Sequence, residues 1–468
     1  MGLFNYEICI LLYSRIIQKP KFQPFNSSFN LKPMKKIIGI RREDKNIWEK
    51  RVPLIPEDVK SLLTKNELEI VIQPSSIRIF PDKSFRESGA QISESLHDAD
   101  IILGVKEIPV EFFEENKTYI FFSHTIKGQS YNMDMLKQMI KQKCNLIDYE
   151  KIINENNQRL IFFGKYAGIA GMIEVFHAMG EKLKLRGFSS PFEKIKQAFL
   201  YSTVDEAIHH VQAIGSELNE NGLDKNIGPL VFGFAGYGNV SLGAQDIFNH
   251  LPHQTISPED LVQNFNSLNS QNGMLYKVVF KEEHIAAPKY GKFNLSDYYK
   301  NPDKYEGIFS KWLPNITVLV NCIHWTKKYP RLLTKNYLSQ HANGKLLVIG
   351  DISCDINGSI EITHKSTFPD SPTYTYFPTK NQFKDGNYPE GVTVMAIDNL
   401  PCEFSKEAST DFSKVLKNFI PNILNTNFKD SFDDLNLPLP INNGLILHQG
   451  KFTKDYMYMN NFIRKEAA

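Results

Sequence analysis

Two successive series of short apolar runs, separated by amphipathic stretches of helix length, limit what this chain can fold into more than any other feature. The first series is Ile37–Ile40, Glu69–Gln73, Ile101–Val105, Tyr119–Ser123 and Asn145–Asp148; the second is Leu230–Ala235, Lys277–Phe280, Thr317–Cys322, Leu346–Ile352 and Val392–Ile397. Runs this short and this apolar suit strands buried on both faces, and strands that alternate with helices pair in parallel. Helix-start signals fall between them: Pro56 takes a first-turn position and is followed by the acids Glu57 and Asp58, which suit the positive end of the helix dipole. The expected fold class is α/β, with two parallel-sheet lobes flanking a cleft.

The stretch Tyr166–Gly187 between the series reads as a long interdomain helix carrying Gly168, Gly171 and Gly180. Each glycine weakens a helix by about 1 kcal/mol against alanine, so the cluster implies close approach of another backbone. Asp224–Pro229 reads as a loop entering the second lobe, and the Asn/Pro-rich stretch Pro421–Asn443 as another loop. A length of 468 residues suits two to four domains. The balance of 54 basic against 52 acidic residues excludes a nucleic-acid binder working by bulk charge. A mean hydropathy of −0.32 excludes a multi-span membrane protein. Five scattered cysteines without a C-x-x-C pair argue for a reducing compartment and against a zinc site, with Cys322 and Cys354 read as small buried hydrophobes. Residues 1–34 are basic, Ser-containing and nearly free of acids, which fits a mitochondrial presequence or a leader without an address.

The strand Leu230–Ala235 runs into Gly236-Tyr237-Gly238-Asn239-Val240-Ser241 and then a helical pattern. This is the context a dinucleotide site requires: Gly236 for a tight turn, Gly238 for close approach of the pyrophosphate, and the helix N-terminus for its charge. Both lobes are therefore expected to be Rossmann-like. Ser241 stands where the fingerprint has a third glycine. Glu259 lies near the spacing of the ribose-binding acid, but Ser257-Pro258-Glu259-Asp260 also reads as a capped helix start. The spacing therefore leaves NAD versus NADP open.

In the first series Lys106 and His124 stand just beyond strand ends, where parallel sheets form their ligand crevice. A lysine and a histidine there could exchange protons, although either alone also reads as an ordinary strand-end side chain. The surrounding residues add a resemblance. Ile38-Gly-Ile-Arg-Arg-Glu-Asp, Trp48-Glu-Lys-Arg51-Val-Pro-Leu-Ile-Pro56, Gly104-Val-Lys106-Glu-Ile-Pro109, Phe121-Phe-Ser-His124-Thr and Asp148-Tyr-Glu150 come in one order, as do Phe163-Gly-Lys-Tyr-Ala-Gly-Ile-Ala-Gly171, Val320-Asn-Cys-Ile-His-Trp325 and Gly350-Asp-Ile-Ser-Cys-Asp355. Together they resemble the lysine–ketoglutarate reductase domain of the aminoadipic semialdehyde synthase family, within the alanine dehydrogenase/transhydrogenase/saccharopine dehydrogenase group.

That resemblance implies Lys106 and His124 as the catalytic pair and Arg51, Glu49, Glu150, Arg159 and Asp355 as substrate-pocket residues. It implies reductive condensation of L-lysine and 2-oxoglutarate to saccharopine with NADPH, in lysine degradation. It further implies a substrate domain of residues 35–170 plus 398–468 and a dinucleotide domain of residues 171–397. Alternatives are an NAD-linked, lysine-forming saccharopine dehydrogenase, an alanine dehydrogenase-like enzyme, or a non-catalytic nucleotide-binding module. The expected partners are small molecules, with no nucleic acid and no membrane span, and room for a homo-oligomer. A mitochondrial location is expected, otherwise a cytoplasmic one. The sequence ends at Ala468 without space for the saccharopine-oxidising domain that follows the reductase in the bifunctional enzyme, so a separate enzyme is expected to consume the product.

Overall fold

The computed structural model describes residues 35–224, 226–263 and 274–465. The leader segment 1–34 and Cys9 lie outside them. All ten expected runs contain strands. The first series supplies β1 (Lys36–Ile40), β2 (Leu68–Ile72), β4 (Ile101–Leu103), β5 (Thr118–Phe121) and β6 (Asn145–Asp148), and a two-residue edge strand outside it is β3 (Gln91–Ile92). The second supplies β7 (Leu230–Ala235), β8 (Gln254–Thr255), β9 (Leu275–Phe280), a small hairpin of β10 (Ala286–Pro288) and β11 (Tyr305–Gly307), then β12 (Val318–Asn321), β13 (Val348–Asp351), β14 (Thr373–Phe377), β15 (Gln382–Asp385) and β16 (Val392–Met395). Two last strands, β17 (Leu445–His448) and β18 (Lys451–Phe452), return to the first sheet.

Each large sheet has eight strands, in the orders β18-β17-β6-β5-β4-β1-β2-β3 and β15-β14-β16-β13-β12-β7-β9-β8. The central strands pair in parallel; only the edges, β17–β18 and β14–β15, run antiparallel. Those edge strands lack the flanking helical pattern that marks the others, so the sequence reading missed them. The stretch Pro421–Asn443 is not a simple loop: it carries most of the helix Ile420–Asn425 and most of the helix Leu439–Gly444, each with proline in its first turn. Elsewhere the start signal at Pro56 opens the helix Pro56–Lys65 as expected. Cys354 is not in a strand. It sits in the turn after β13 at φ +50°, its thiol donating to the Ala396 carbonyl.

The helix Gly164–Leu185 crosses from the first sheet to the second, passing residue 170 without interruption. Its glycines do what their clustering implies. A Cβ on Gly168 would lie 2.0 Å from the Val240 carbonyl oxygen, and one on Gly243 would lie 2.2 Å from that of Lys165. The two helices thus cross backbone to backbone, and the helix that follows the glycine loop is held against the interlobe helix.

A second joint lies on the same helix. Glu174 and Glu403 are buried against each other between the helix and the return segment Leu400–Phe404, and their carboxylates accept the consecutive N–H groups of Ala198 (2.5 Å) and Phe199 (3.2 Å). Burial raises both carboxyls, and the charge of Glu174 raises Glu403 further. A carboxyl raised on folding contributes stability that is present at low pH and lost as pH rises through its folded value. Glu403→Gln removes one of the two charges, so its unfolding free energy should exceed that of the parent at about pH 8, by about 1–2 kcal/mol. The advantage should disappear near pH 5. Chemical denaturation at the two pH values checks this, and an equal pH dependence in both proteins would refute it.

Candidate functional site

The carboxyl ends of both sheets open on one cleft. From the first sheet come Lys106 after β4, His124 after β5 and Glu150 after β6; from the second come the glycine loop after β7, His324 after β12 and Asp355 after β13. The lobes meet across it. The Trp48 ring meets the edge of Phe199 at 5.1 Å, and Arg51 Nη2 donates to Asn399 Oδ1 (2.7 Å) where the chain leaves β16 and returns to the first lobe.

Lys106 is half-buried, and its charge is among those that hold the Glu49 and Glu107 carboxylates ionised. His124 adopts φ +48°, a left-handed conformation that turns its ring back toward the strand end of β4. Its Nδ1 lies 2.7 Å from Glu107 Oε1, and its ring stacks on Phe122. Glu107 also pairs with Lys45 at 3.0 Å. Burial works to raise Glu107, but the hydrogen bond and charge of His124, with Lys45 and Lys106, outweigh it and hold the carboxyl well below its usual range. An ionised carboxylate only accepts. The proton therefore sits on Nδ1 and leaves Nε2 for the cleft.

Glu107 was not singled out from the sequence. The available signal was an acid adjoining a strand-end lysine. His324 was missed as well, although it stands three residues beyond β12 just as His124 stands three beyond β5. Burial lowers the His324 imidazole, with Lys127 and Arg159 lowering it further, while Asp355 and Glu150 oppose them. Asp355 is raised by burial against the charges of Lys127 and His324. Groups from both lobes thus share one electrostatic field.

Arg51 and Glu49 are nearly fully buried and close on each other: Arg51 Nε donates to Glu49 Oε1 (2.8 Å) and Nη2 to Oε2 (2.6 Å). Asn399 Nδ2 completes the ring at 2.6 Å, and the guanidinium lies over Phe163 with its carbon 4.1 Å from the ring centroid. Arg51, which the resemblance implies as a substrate-pocket residue, here spends its bidentate geometry on Glu49. Arg159 likewise pairs with Glu150. In Arg51→Met the Glu49 carboxylate is left buried without its cation, which costs about 3–5 kcal/mol. Urea unfolding of this variant should show that loss, and near-parent stability would identify Arg51 as a ligand group alone.

The glycine loop fits a dinucleotide. Gly236 has φ +97° and its N–H donates to the Phe280 carbonyl at 2.9 Å. A Cβ on Gly238 would meet nothing within 4 Å, leaving open space before the helix Asn239–Phe248, whose N-terminus has no side-chain cap. Ser241 is fully buried, as a small residue at the third fingerprint position should be, while Tyr237, Asn239 and Val240 line the turn. Glu259 falls in the helix Pro258–Gln263, whose start Ser257 caps by accepting the Asp260 N–H (3.0 Å). The strand beside β7 is β9, and the acids at its end are Glu282 and Glu283. Glu282 accepts the Tyr299 hydroxyl and faces Tyr237 of the loop. Among the described residues, no group of three or more His, Cys, Asp or Glu could hold a metal ion, and no helix is long and apolar enough to cross a membrane.

Comparison with known proteins agrees with this architecture. Residues 39–170 match the model of the alanine dehydrogenase/PNT N-terminal domain, and residues 303–455 match that of the C-terminal domain. The chain belongs to the alanine dehydrogenase/PNT family. It is 37% identical to an alpha-aminoadipic semialdehyde synthase of Arabidopsis thaliana and 34% identical to the mitochondrial protein of that name from Mus musculus. These alignments cover 90% and 91% of this chain but 41% and 48% of the relatives, so the chain spans less than half their length. Within the family, a solved L-alanine dehydrogenase has the same fold at a TM-score of 0.57 and 16% identity, over 92% of this chain and 99% of that one.

Proposed function

We propose that the chain is a nicotinamide-dinucleotide-dependent reductase that condenses L-lysine with 2-oxoglutarate and reduces the product to saccharopine, in lysine degradation. The observation that carries the proposal is the Glu107–His124 pair beside Lys106, in a cleft shared with a glycine loop fit for a dinucleotide. The choice of substrates rests on the similarity to the semialdehyde synthases. In this reading the substrate domain is residues 35–170 plus 398–468 and the dinucleotide domain residues 171–397. The name of the mouse relative supports a mitochondrial location.

Attack of an amine on a keto carbon needs the amine neutral, so a proton acceptor must stand beside it. His124 Nε2 takes that proton, with Glu107 fixing the tautomer and stabilising the imidazolium that forms. As the amine nitrogen adds to the keto carbon, the carbonyl oxygen takes a proton from Lys106, which recovers one from the added nitrogen; a second proton, from the His124 imidazolium, lets that oxygen leave as water, and the protonated imine that remains accepts hydride at carbon. Asp355 and His324 border the same space from the second lobe, and Glu49, Arg51, Glu150 and Arg159 form its charged wall. Residues 236–241 would hold the dinucleotide, which when bound would supply the hydride; NADPH is the reductant that the family resemblance implies.

Loss of absorbance at 340 nm on adding both lysine and 2-oxoglutarate to enzyme and reduced cofactor is the expected result. No lysine-dependent loss with either NADPH or NADH would refute the reaction. Lys106→Met and His124→Gln should each lower kcat by about 10²–10⁴-fold. Glu107→Gln, which keeps an acceptor but not the charge, should lower kcat less and move the acidic limb of its pH profile to lower pH, because the imidazolium loses its counter-charge.

A further inference from the structure

Glu43 is a carboxylate that the mechanism above does not use, and it is nearly fully buried. Its two oxygens accept consecutive N–H groups just beyond β4: Oε1 from Val105 at 2.7 Å and Oε2 from Lys106 at 3.0 Å. Past the end of a strand those amides have no ladder partner, and a buried N–H without an acceptor costs about 1–3 kcal/mol. Arg41 Nη1 approaches Glu43 Oε2 at 3.9 Å. Arg41 is itself buried; Nη2 reaches Asp44 (2.6 Å), while Nε and Nη1 have no hydrogen-bond partner among the described residues. A buried acid has thus been stationed where it holds the main chain of the lysine assigned to proton transfer.

We propose that Glu43 is a positioning residue for Lys106: by gripping the Val105 and Lys106 amides it fixes the chain from which the Lys106 side chain enters the cleft. The inference rests on the catalytic assignment of Lys106 for its meaning in the reaction, and on the two hydrogen bonds for its geometry. It also carries a pH dependence. Burial pushes Glu43 up to about 7, against the Arg41 charge and the two amides. The other groups facing it are Glu49 and Arg51 from the loop after β1, Arg78 after β2 and Tyr149 after β6. A protonated carboxyl has one oxygen fewer to accept with. As pH falls through 7, one of the two amides loses its acceptor and the Lys106 chain loosens.

The test reads Lys106 directly. Intact protein is treated with acetic anhydride from pH 6 to 9, and acetylation of Lys106 relative to the exposed Lys60 is measured by peptide mass spectrometry. The parent should show a step in relative reactivity of several-fold near pH 7. Glu43→Gln should abolish the step, and Glu43→Asp, which keeps the charge on a shorter arm, should retain it with reduced amplitude. A smooth parent profile, or a step that persists in Glu43→Gln, overturns the proposal, and the parent profile alone decides the matter if neither variant folds. In the kinetic arm, Glu43→Gln should lower kcat about tenfold with the KM for the dinucleotide unchanged. A chain that labels as expected but oxidises no reduced cofactor with lysine and 2-oxoglutarate would refute the reaction and leave the role of Glu43 standing.

Discussion

Where parallel strands end, their last amides point past the sheet with no ladder partner, and in this molecule buried carboxylates meet them. Glu43 holds the amides of Val105 and Lys106. Asp148 accepts the amides of Ser123 (3.0 Å) and Glu150 (2.8 Å), bracing the loops that carry His124 and Glu150. Asp351 accepts from Asn321 Nδ2 (2.8 Å), from the Cys354 amide (3.2 Å) and from the Thr363 hydroxyl, and so frames the turns before His324 and Asp355. A loop built this way is held by directional bonds to a rigid strand. That is how side chains on irregular backbone come to be held in defined positions around the cleft.

Burial raises all three acids, Glu43 to about 7 and Asp351 to about 6. Only multiple donors make such placements tolerable. The joints at and beside the interlobe helix use the same device. Arg51, Glu49 and Asn399 close a hydrogen-bonded ring between loops 348 residues apart in sequence, and Glu174 with Glu403 tethers the segment before the helix Val204–Asn221 to both crossings. Cleft geometry therefore depends on polar joints, one on the interlobe helix at Glu174 and one off it at the Arg51–Glu49–Asn399 ring.

The sequence made the repeating part of the fold legible and hid the joints. Ten strands could be read because a strand buried on both faces is a continuous apolar run, and Pro56 marked its helix because proline suits a first turn. The glycines of the interlobe helix foretold a close crossing, which Gly168 and Gly243 make. The antiparallel edges β14–β15 and β17–β18 were not legible, since no crossover helix announces them. Lys106 and His124 could be picked out by their places after strands. Glu43 and Asn399 could not, because a carboxylate or amide acquires its role from partners distant in sequence, and Glu107 left only the faint signal of an acid beside a strand-end lysine. Arg51 shows the converse. The family resemblance implies it as a substrate-pocket residue, and the fold turns its guanidinium onto Glu49.

Spacing rules fail in a similar way when a chain carries insertions. The ribose-binding acid of a dinucleotide fold is defined by its place at the end of the strand next to the glycine loop, and about 20 residues is merely the distance an uninterrupted unit requires. Here β9 pairs with β7 from Leu230↔Leu275 to Ala235↔Phe280, and the residues from 249 to 274 are interposed. Glu259 meets the spacing but not the place, and its helix start is capped by Ser257. Lys281, Glu282 and Glu283 meet the place but not the spacing. Of these, Glu282 is already engaged by the Tyr299 hydroxyl and faces Tyr237 of the glycine loop. The end of the strand beside the glycine loop therefore carries one lysine and two acids, with Tyr299 and Tyr237 against Glu282, a cluster which no single position in the sequence reveals.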